Sequence, residues 1–188
     1  IALDWLLRRE VRPLAGRLTL AFVNFAAFAR FDRNEPSASR CVDEDFNRVW
    51  SAEALEGARD SVELRRAREL RPLVDGVDAL LDIHSMQHLT PALMICGTTL
   101  KARELALRLG TPAHLVCDAG HAAGRRMRDY GGFADSASSK TALLIECGQH
   151  WERASATVAI DAMLRFLLHF GAIGEDFAAP HLAPLPGA

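Results

Sequence analysis

The sequence predicts an α/β fold in which helices flank a mixed, mostly parallel sheet. Two observations carry that prediction. Short apolar runs at residues 18–24, 77–83, 91–97, 113–117 and 141–145 have the length and Val/Ile/Leu content of strands buried on both faces. Amphipathic segments at residues 51–71, 99–109 and 155–170 are interspersed with them, so strand and helix signals alternate as in layered α/β domains.

The bulk numbers narrow the function classes. At 188 residues the chain is long enough to bury a core without staples. With 24% charged residues and a formal net charge of -2, it lacks the basic footprint of a nucleic-acid binder or a polybasic membrane surface. Basic charge is nearly all arginine, Lys101 and Lys140 being the only lysines. Cys41, Cys96, Cys117 and Cys147 form no C-x-x-C pair and no signal peptide is visible, so they read as reduced thiols of a cytoplasmic protein. The longest apolar stretch, residues 163–170, is interrupted by Arg165 and His169 and is too short to span a membrane.

Taken in order, residues 1–7 leave only Asp4 polar and read as a helix without its own start signal, so a segment is expected upstream. Arg12-Pro13 and Gly16 break the pattern, and residues 18–24 follow as a buried strand. Residues 25–39 read as a loop, with a turn at Asn34-Glu35-Pro36, that delivers residues 40–48. Ser61, Leu64, Ala67 and Leu70 mark a helix that Pro72 is expected to end. The strand at 77–83 delivers His84, a further strand lies at 91–97, and Gly110 closes the helix at 99–109. After the strand at 113–117, residues 118–140 form a long polar loop with a helical patch, the kind that is often functional or mobile. The strand at 141–145 delivers Glu146, Ser155 opens the last helix, and Gly171 ends it. From residue 178 the Pro/Ala/Leu composition resembles a linker.

Three features follow predicted strands. If those strands run parallel, His84, Glu146 and the loop 40–48 share the carboxyl edge of the sheet, where ligands bind in such folds. Arg40, Asn47 and Arg48 can fork onto a carboxylate; a solvated, self-neutralising charged loop is the plain alternative. His84 after Asp82 could ligate a metal, or be a neutral histidine bonded to a backbone carbonyl. Glu146, approached through apolar residues, could serve as a general base, or be a solvated strand-end carboxylate.

Together, Arg40-x6-Asn47-Arg48, Asp82-Ile83-His84 and Ile145-Glu146-Cys147-Gly148 resemble, in order and spacing, the succinylglutamate desuccinylase/aspartoacylase family, a branch of the zinc carboxypeptidase-like fold. The resemblance spans roughly residues 18–171. It implies a zinc-dependent hydrolase that cleaves the amide bond of an N-acyl amino acid. It implies His84 as one Zn2+ ligand and Glu146 as the base that activates the metal-bound water. Arg40 would polarise the scissile carbonyl or hold substrate, and Asn47 and Arg48 would grip the carboxylate of the amino-acid part. Within residues 40–48, Asp43, Glu44 and Asp45 are expected to orient the arginines or face water, and Phe46 to anchor the loop.

The sequence departs from the family in lacking its H-x-x-E block. Asn34-Glu35-Pro36 echoes that block, but Asp32 stands three residues before Glu35, so the segment reads as a decoy turn. His84-x3-His88 has ligand spacing without the glutamate of an H-E-x-x-H helix, and His114, His121 and His150 are scattered. The remaining zinc ligands are therefore expected upstream of Ile1 and a C-terminal β domain beyond residue 188. On this view residues 1–175 are an N-terminally truncated catalytic core carrying half a metal site, and 176–188 a linker.

The expected partner is a small-molecule N-acyl amino acid, without nucleic acid or membrane, and with a homo-oligomer left open. Arg125, Arg126, Arg128 and Tyr130 could contact substrate acids, a solvated basic loop being the plainer reading. Two rival functions stay in view. One is a carboxypeptidase-like peptidase with a similar carboxylate grip. The other is a non-catalytic α/β domain that binds an anion or a partner.

Overall fold

Residues 1–32 and 34–185 are described by the computed structural model of the chain. In chain order the helices are α1 (Ala2–Leu7), α2 (Phe25–Phe28), α3 (Ala52–Glu56), α4 (Val62–Asp75), α5 (Leu100–Leu109), α6 (Arg153–His169) and α7 (Glu175–Ala178). The strands are β1 (Ala79–Met86), β2 (Leu93–Ile95), β3 (His114–Val116) and β4 (Thr141–Gln149). Among the described residues, no helix is long and apolar enough to cross a membrane.

The four strands form one sheet in the order β1-β4-β2-β3. β2 and β3 run parallel, with Leu93 opposite His114, whereas β2 and β4 run antiparallel, with Leu93 opposite Glu146. β1 and β4 are bracketed by bonds from Thr141 N to Asp78 O and from His150 N to Met86 O. Those contacts advance in the same direction on both strands, which makes the pair parallel. Two of three pairings are thus parallel, as the alternating pattern predicts. β4 lies between two neighbours, and Ala142, Leu143, Leu144 and Ile145 are all buried, which accounts for its unbroken apolar run.

The chain divides into two compact units. The first comprises Ile1–Ala21, Leu81–Asp118 and the stretch from Ala142 onward; the second comprises Phe22–Leu80 and Ala119–Thr141. In the first, α6 is the central helix. It buries Ala159, Ala162, Met163, Leu164, Phe166 and Leu167, and α1, α5 and α7 pack on it. α5 turns Ala102, Leu105, Ala106 and Leu109 inward and ends at Gly110, whose left-handed φ of +68° closes it as expected. Ser155 lies inside α6 and donates to the Gln149 carbonyl at 2.7 Å, so the helix begins earlier than the serine signal suggests. Residues read as the start of a linker are ordered against α6: Ala183 N donates to Asp161 Oδ1 at 2.9 Å, and Asp161 Oδ2 holds Arg165 Nε at 3.0 Å.

In the second unit, α4 starts at Ser61, whose Oγ accepts from Leu64 N at 3.0 Å. It runs through Pro72 to Asp75, beyond the predicted stop. Proline removes one intrahelical bond, but buried Leu70 and Val74 flank it and hold the last turn in place.

The predicted strand at 18–24 does not form. These residues are irregular and none is buried, Phe22 being 59% exposed. Instead of a neighbouring strand, the carbonyls of Phe22 and Val23 meet the Arg66 guanidinium, at 3.4 and 3.0 Å. The loop 40–48 therefore does not follow a strand, and the shared-edge argument does not extend to it. His84 and Glu146 lie within β1 and β4, near their carboxyl ends, because both strands run further than their apolar cores indicate.

Candidate functional site

Each unit presents one part of the candidate machinery. In the first, Asp82 and His84 are two residues apart on β1 and so share a face. His84 Nε2 lies 2.9 Å from Asp82 Oδ1. That contact assigns the ring proton to Nε2 and the lone pair to Nδ1 in the neutral imidazole. A carboxylate on the second ring nitrogen is also how metal-ligating histidines are oriented. Asp82 is buried, and its Oδ2 has no hydrogen-bond partner among the described residues. Glu146 sits on β4, next to β1 in the sheet and half-buried behind Leu144 and Ile145. Its neighbour Cys147 has its thiol pushed up to about 12, first by burial and then by the Glu146 charge. At the carboxyl ends of β1 and β4, Ser85 Oγ and His150 Nδ1 are 2.7 Å apart.

The residue types required for zinc can be tested against this arrangement. Three protein ligands are the norm for catalytic zinc, and no group of three His, Cys, Asp or Glu side chains that could hold a metal occurs among the described residues. His84, with its Asp82 partner, is one suitable donor. The described residues do not by themselves compose a zinc site.

In the second unit, residues 40–48 are held by Glu63, which sequence reasoning does not single out. Glu63 is fully buried. Its carboxylate accepts the backbone N–H groups of Val42 at 2.6 Å, Asp43 at 3.1 Å and Glu44 at 3.3 Å, and Asn24 Nδ2 at 3.3 Å. Burial pushes its pKa up, but these donors outweigh burial and hold it below the usual carboxylate value. The spacing of 63, 67, 70 and 74 on one helical face is the sequence signal that would have found it.

The acids of the loop divide their tasks. Asp43 Oδ2 accepts Val62 N at 2.7 Å, and Glu44 Oε1 accepts Ser61 Oγ at 2.6 Å, so both pin the start of α4. Asp45 serves Arg40 and Arg48: its Oδ2 lies 2.7 Å from Arg40 NH2 and 3.8 Å from Arg48 NH2, while Oδ1 accepts Asn47 N at 2.9 Å. Burial raises the Asp45 pKa, and the Asn47 amide with the two guanidiniums more than reverses this, leaving it lowered. Asn47 Oδ1 accepts Met127 N at 2.9 Å. That bond fixes the orientation of the amide and directs its NH2 group to any further acceptor. Phe46 is buried edge-on to Trp50, with ring centroids 5.7 Å apart, and Trp50 meets Tyr130 at 5.5 Å. Arg40, Asn47 and Arg48 are thus brought together on one braced segment, with Arg40 half-exposed and Arg48 more covered.

Residues 118–140 are less solvated than a basic loop would be. Arg128 and Tyr130 are buried; Arg128 NH2 pairs with Asp129 Oδ1 at 2.8 Å, and Tyr130 bonds Asp75 and Arg71, each at 2.9 Å. Gly124 approaches the Arg48 backbone so closely, at φ +143°, that a Cβ would stand 2.3 Å from Arg48 O. Gly124→Ala is therefore expected to cost ~1–3 kcal/mol in urea unfolding and to loosen Arg48. An unchanged midpoint would show that this contact does not hold the loop.

No protein-family profile and no curated protein sequence matches the chain. Solved structures do. The ectoine utilization protein EutE (DoeB) from Ruegeria pomeroyi is 16% identical at a TM-score of 0.66, over 92% of this chain and 52% of that one. A succinylglutamate desuccinylase/aspartoacylase from Rhodobacter sphaeroides is 19% identical at 0.65, over 92% and 51%. Murine aminoacylase 3 is 21% identical at 0.56, over 87% and 59%. The chain spans little more than half the length of each. As its three sequence blocks lead one to expect, the chain has the fold of the succinylglutamate desuccinylase/aspartoacylase and aminoacylase structures.

Proposed function

We propose that the chain is the core of a hydrolase that cleaves the linear amide of an N-acyl amino acid. The observation that carries this reading is the braced segment in which Asp45 orients Arg40 and Arg48 while Met127 N orients Asn47. Arg40 and Arg48 present two guanidiniums to the one carboxylate of Asp45, and their further N–H donors suit a second carboxylate, that of the substrate. The fold shared with aminoacylase 3 and with the desuccinylase/aspartoacylase supports the amide as the bond attacked.

In this reading Arg40 and Arg48 bind the substrate's anionic groups, Asn47 adds a directed N–H donor, and Glu146 accepts the proton of the attacking water and returns it to the leaving amine. Zinc is the cofactor the reading calls for, with His84 as one ligand through Nδ1; the remaining donors are not among the described residues. The roles of the other side chains rest on their own contacts. The setting proposed is the cytoplasm.

Arg48→Ala is expected to raise KM for N-acyl amino acids by about 10-fold or more, since a charged hydrogen-bond pair contributes ~1.5–3 kcal/mol. It should have little effect on an amide whose carboxylate is masked as an ester. Steady-state assays of both substrates decide the point, and equal losses on both would remove the carboxylate grip.

A further inference from the structure

The first unit brings two cysteines together at the carboxyl ends of β2 and β3. Ile95 pairs with Val116 in this parallel ladder, which continues one step through the bond from Cys96 N to Val116 O at 3.0 Å. Cys96 and Cys117 come next, across a single strand spacing, with their sulfurs 3.1 Å apart. Adjacent strands lie about 4.8 Å apart, inside the ~4.4–6.8 Å range of Cα separations that a disulfide bridges. The sulfurs need approach by only about 1 Å to reach bonding distance. Cys96 is buried and Cys117 exposed, so a small oxidant reaches one sulfur while the other waits behind it. Nothing in the spacing of the four cysteines signals this pairing, because 21 residues separate the two.

We infer that Cys96 and Cys117 form an oxidisable dithiol that a peroxide converts into an intramolecular disulfide. The Cys117 thiol gives up its proton, its sulfur attacks one peroxide oxygen, and the O–O bond breaks; the departing hydroxide takes up that proton, leaving a sulfenic acid and one water. The Cys96 sulfur then attacks the Cys117 sulfur, the S–O bond breaks, and its oxygen leaves as a second water with the Cys96 proton. Each cysteine gives up one electron overall, and the peroxide takes up two. Cys147 does not compete, being buried and protonated well past neutral pH. Cys41 lies in the other unit, and burial, Glu63 and Asp45 raise its pKa. The bond ties the exit of β2, which turns at Gly97 (φ +69°) toward α5, to the exit of β3.

The test exposes the native chain to hydrogen peroxide, quenches with N-ethylmaleimide, and maps peptides without reduction. The expected result is a loss of two thiols from the four present and a mass lower by two hydrogens. A single peptide should link Cys96 to Cys117, and dithiothreitol should reverse it. Cys96→Ser should leave Cys117 as a sulfenic acid that dimedone traps, and Cys117→Ser should keep its remaining thiols. The same exposure in urea should scramble the pairing. The inference is overturned if the native chain keeps all its thiols, gains oxygen on Cys117 without a cross-link, or yields the same mixture of pairings as in urea.

Discussion

Glu146→Gln is expected to lower kcat for N-acyl amino acid hydrolysis by about 100-fold or more, the usual contribution of a positioned general base, with KM little changed. The substitution exchanges one carboxylate oxygen for an amide nitrogen at nearly constant volume. β4 is the strand that must not be disturbed: it pairs with both β1 and β2, and its residues before Glu146 are buried. A loss of activity with an unchanged unfolding midpoint would therefore report chemistry and not folding. A second readout comes from Cys147, whose thiol is held up to about 12 by burial and, secondarily, by the Glu146 charge. In the variant that thiol should titrate lower, showing that the charge was removed where intended. Unchanged kcat would take Glu146 out of the mechanism.

Glu63→Ala is expected to be the most destabilising single change in the second unit, at ~3–5 kcal/mol in urea unfolding. It strands three backbone N–H groups of residues 42–44 and the Asn24 amide, all of which this buried carboxylate accepts. Because residues 40–48 lose their support, binding of the substrate carboxylate should weaken in parallel. The pH dependence has a definite sign. Glu63 has a folded pKa below its ordinary value, so its contribution is complete above the ordinary carboxylate pKa and is lost as pH falls through the lowered folded value. Wild type should lose more stability than Glu63→Ala across that acid window. Parallel stability-pH curves for the two proteins would show that the carboxylate is not the brace.

Much of this was legible in the residues. Apolar runs located β1, β2, β3 and β4, because a strand buried on both faces needs an unbroken apolar stretch. The same rule misled at residues 18–24, where an equally apolar run has no strand to pair with and its carbonyls turn to Arg66. Strand ends were placed short at His84 and Glu146, since polar residues near the carboxyl end of a strand look like loop when read by hydropathy alone. The segment 40–48 was found from its arginines, but not the way it is held. Asp45 could be guessed from proximity, whereas Met127 and Glu63 act from 80 and 21 residues away in sequence. Arg128 shows the same limit: a basic stretch reads as solvated until Asp129 and the packing around it bury the charge.

The most direct measurement is amine release. The intact, zinc-replete protein is incubated with a panel of N-acyl amino acids and with the same amides carrying esterified carboxylates, and the free amino group is quantified. The account predicts release from at least one free-carboxylate member, strongly reduced for its ester and lost in Glu146→Gln. Release that is indifferent to the carboxylate, or no release from any N-acyl amino acid, would contradict it.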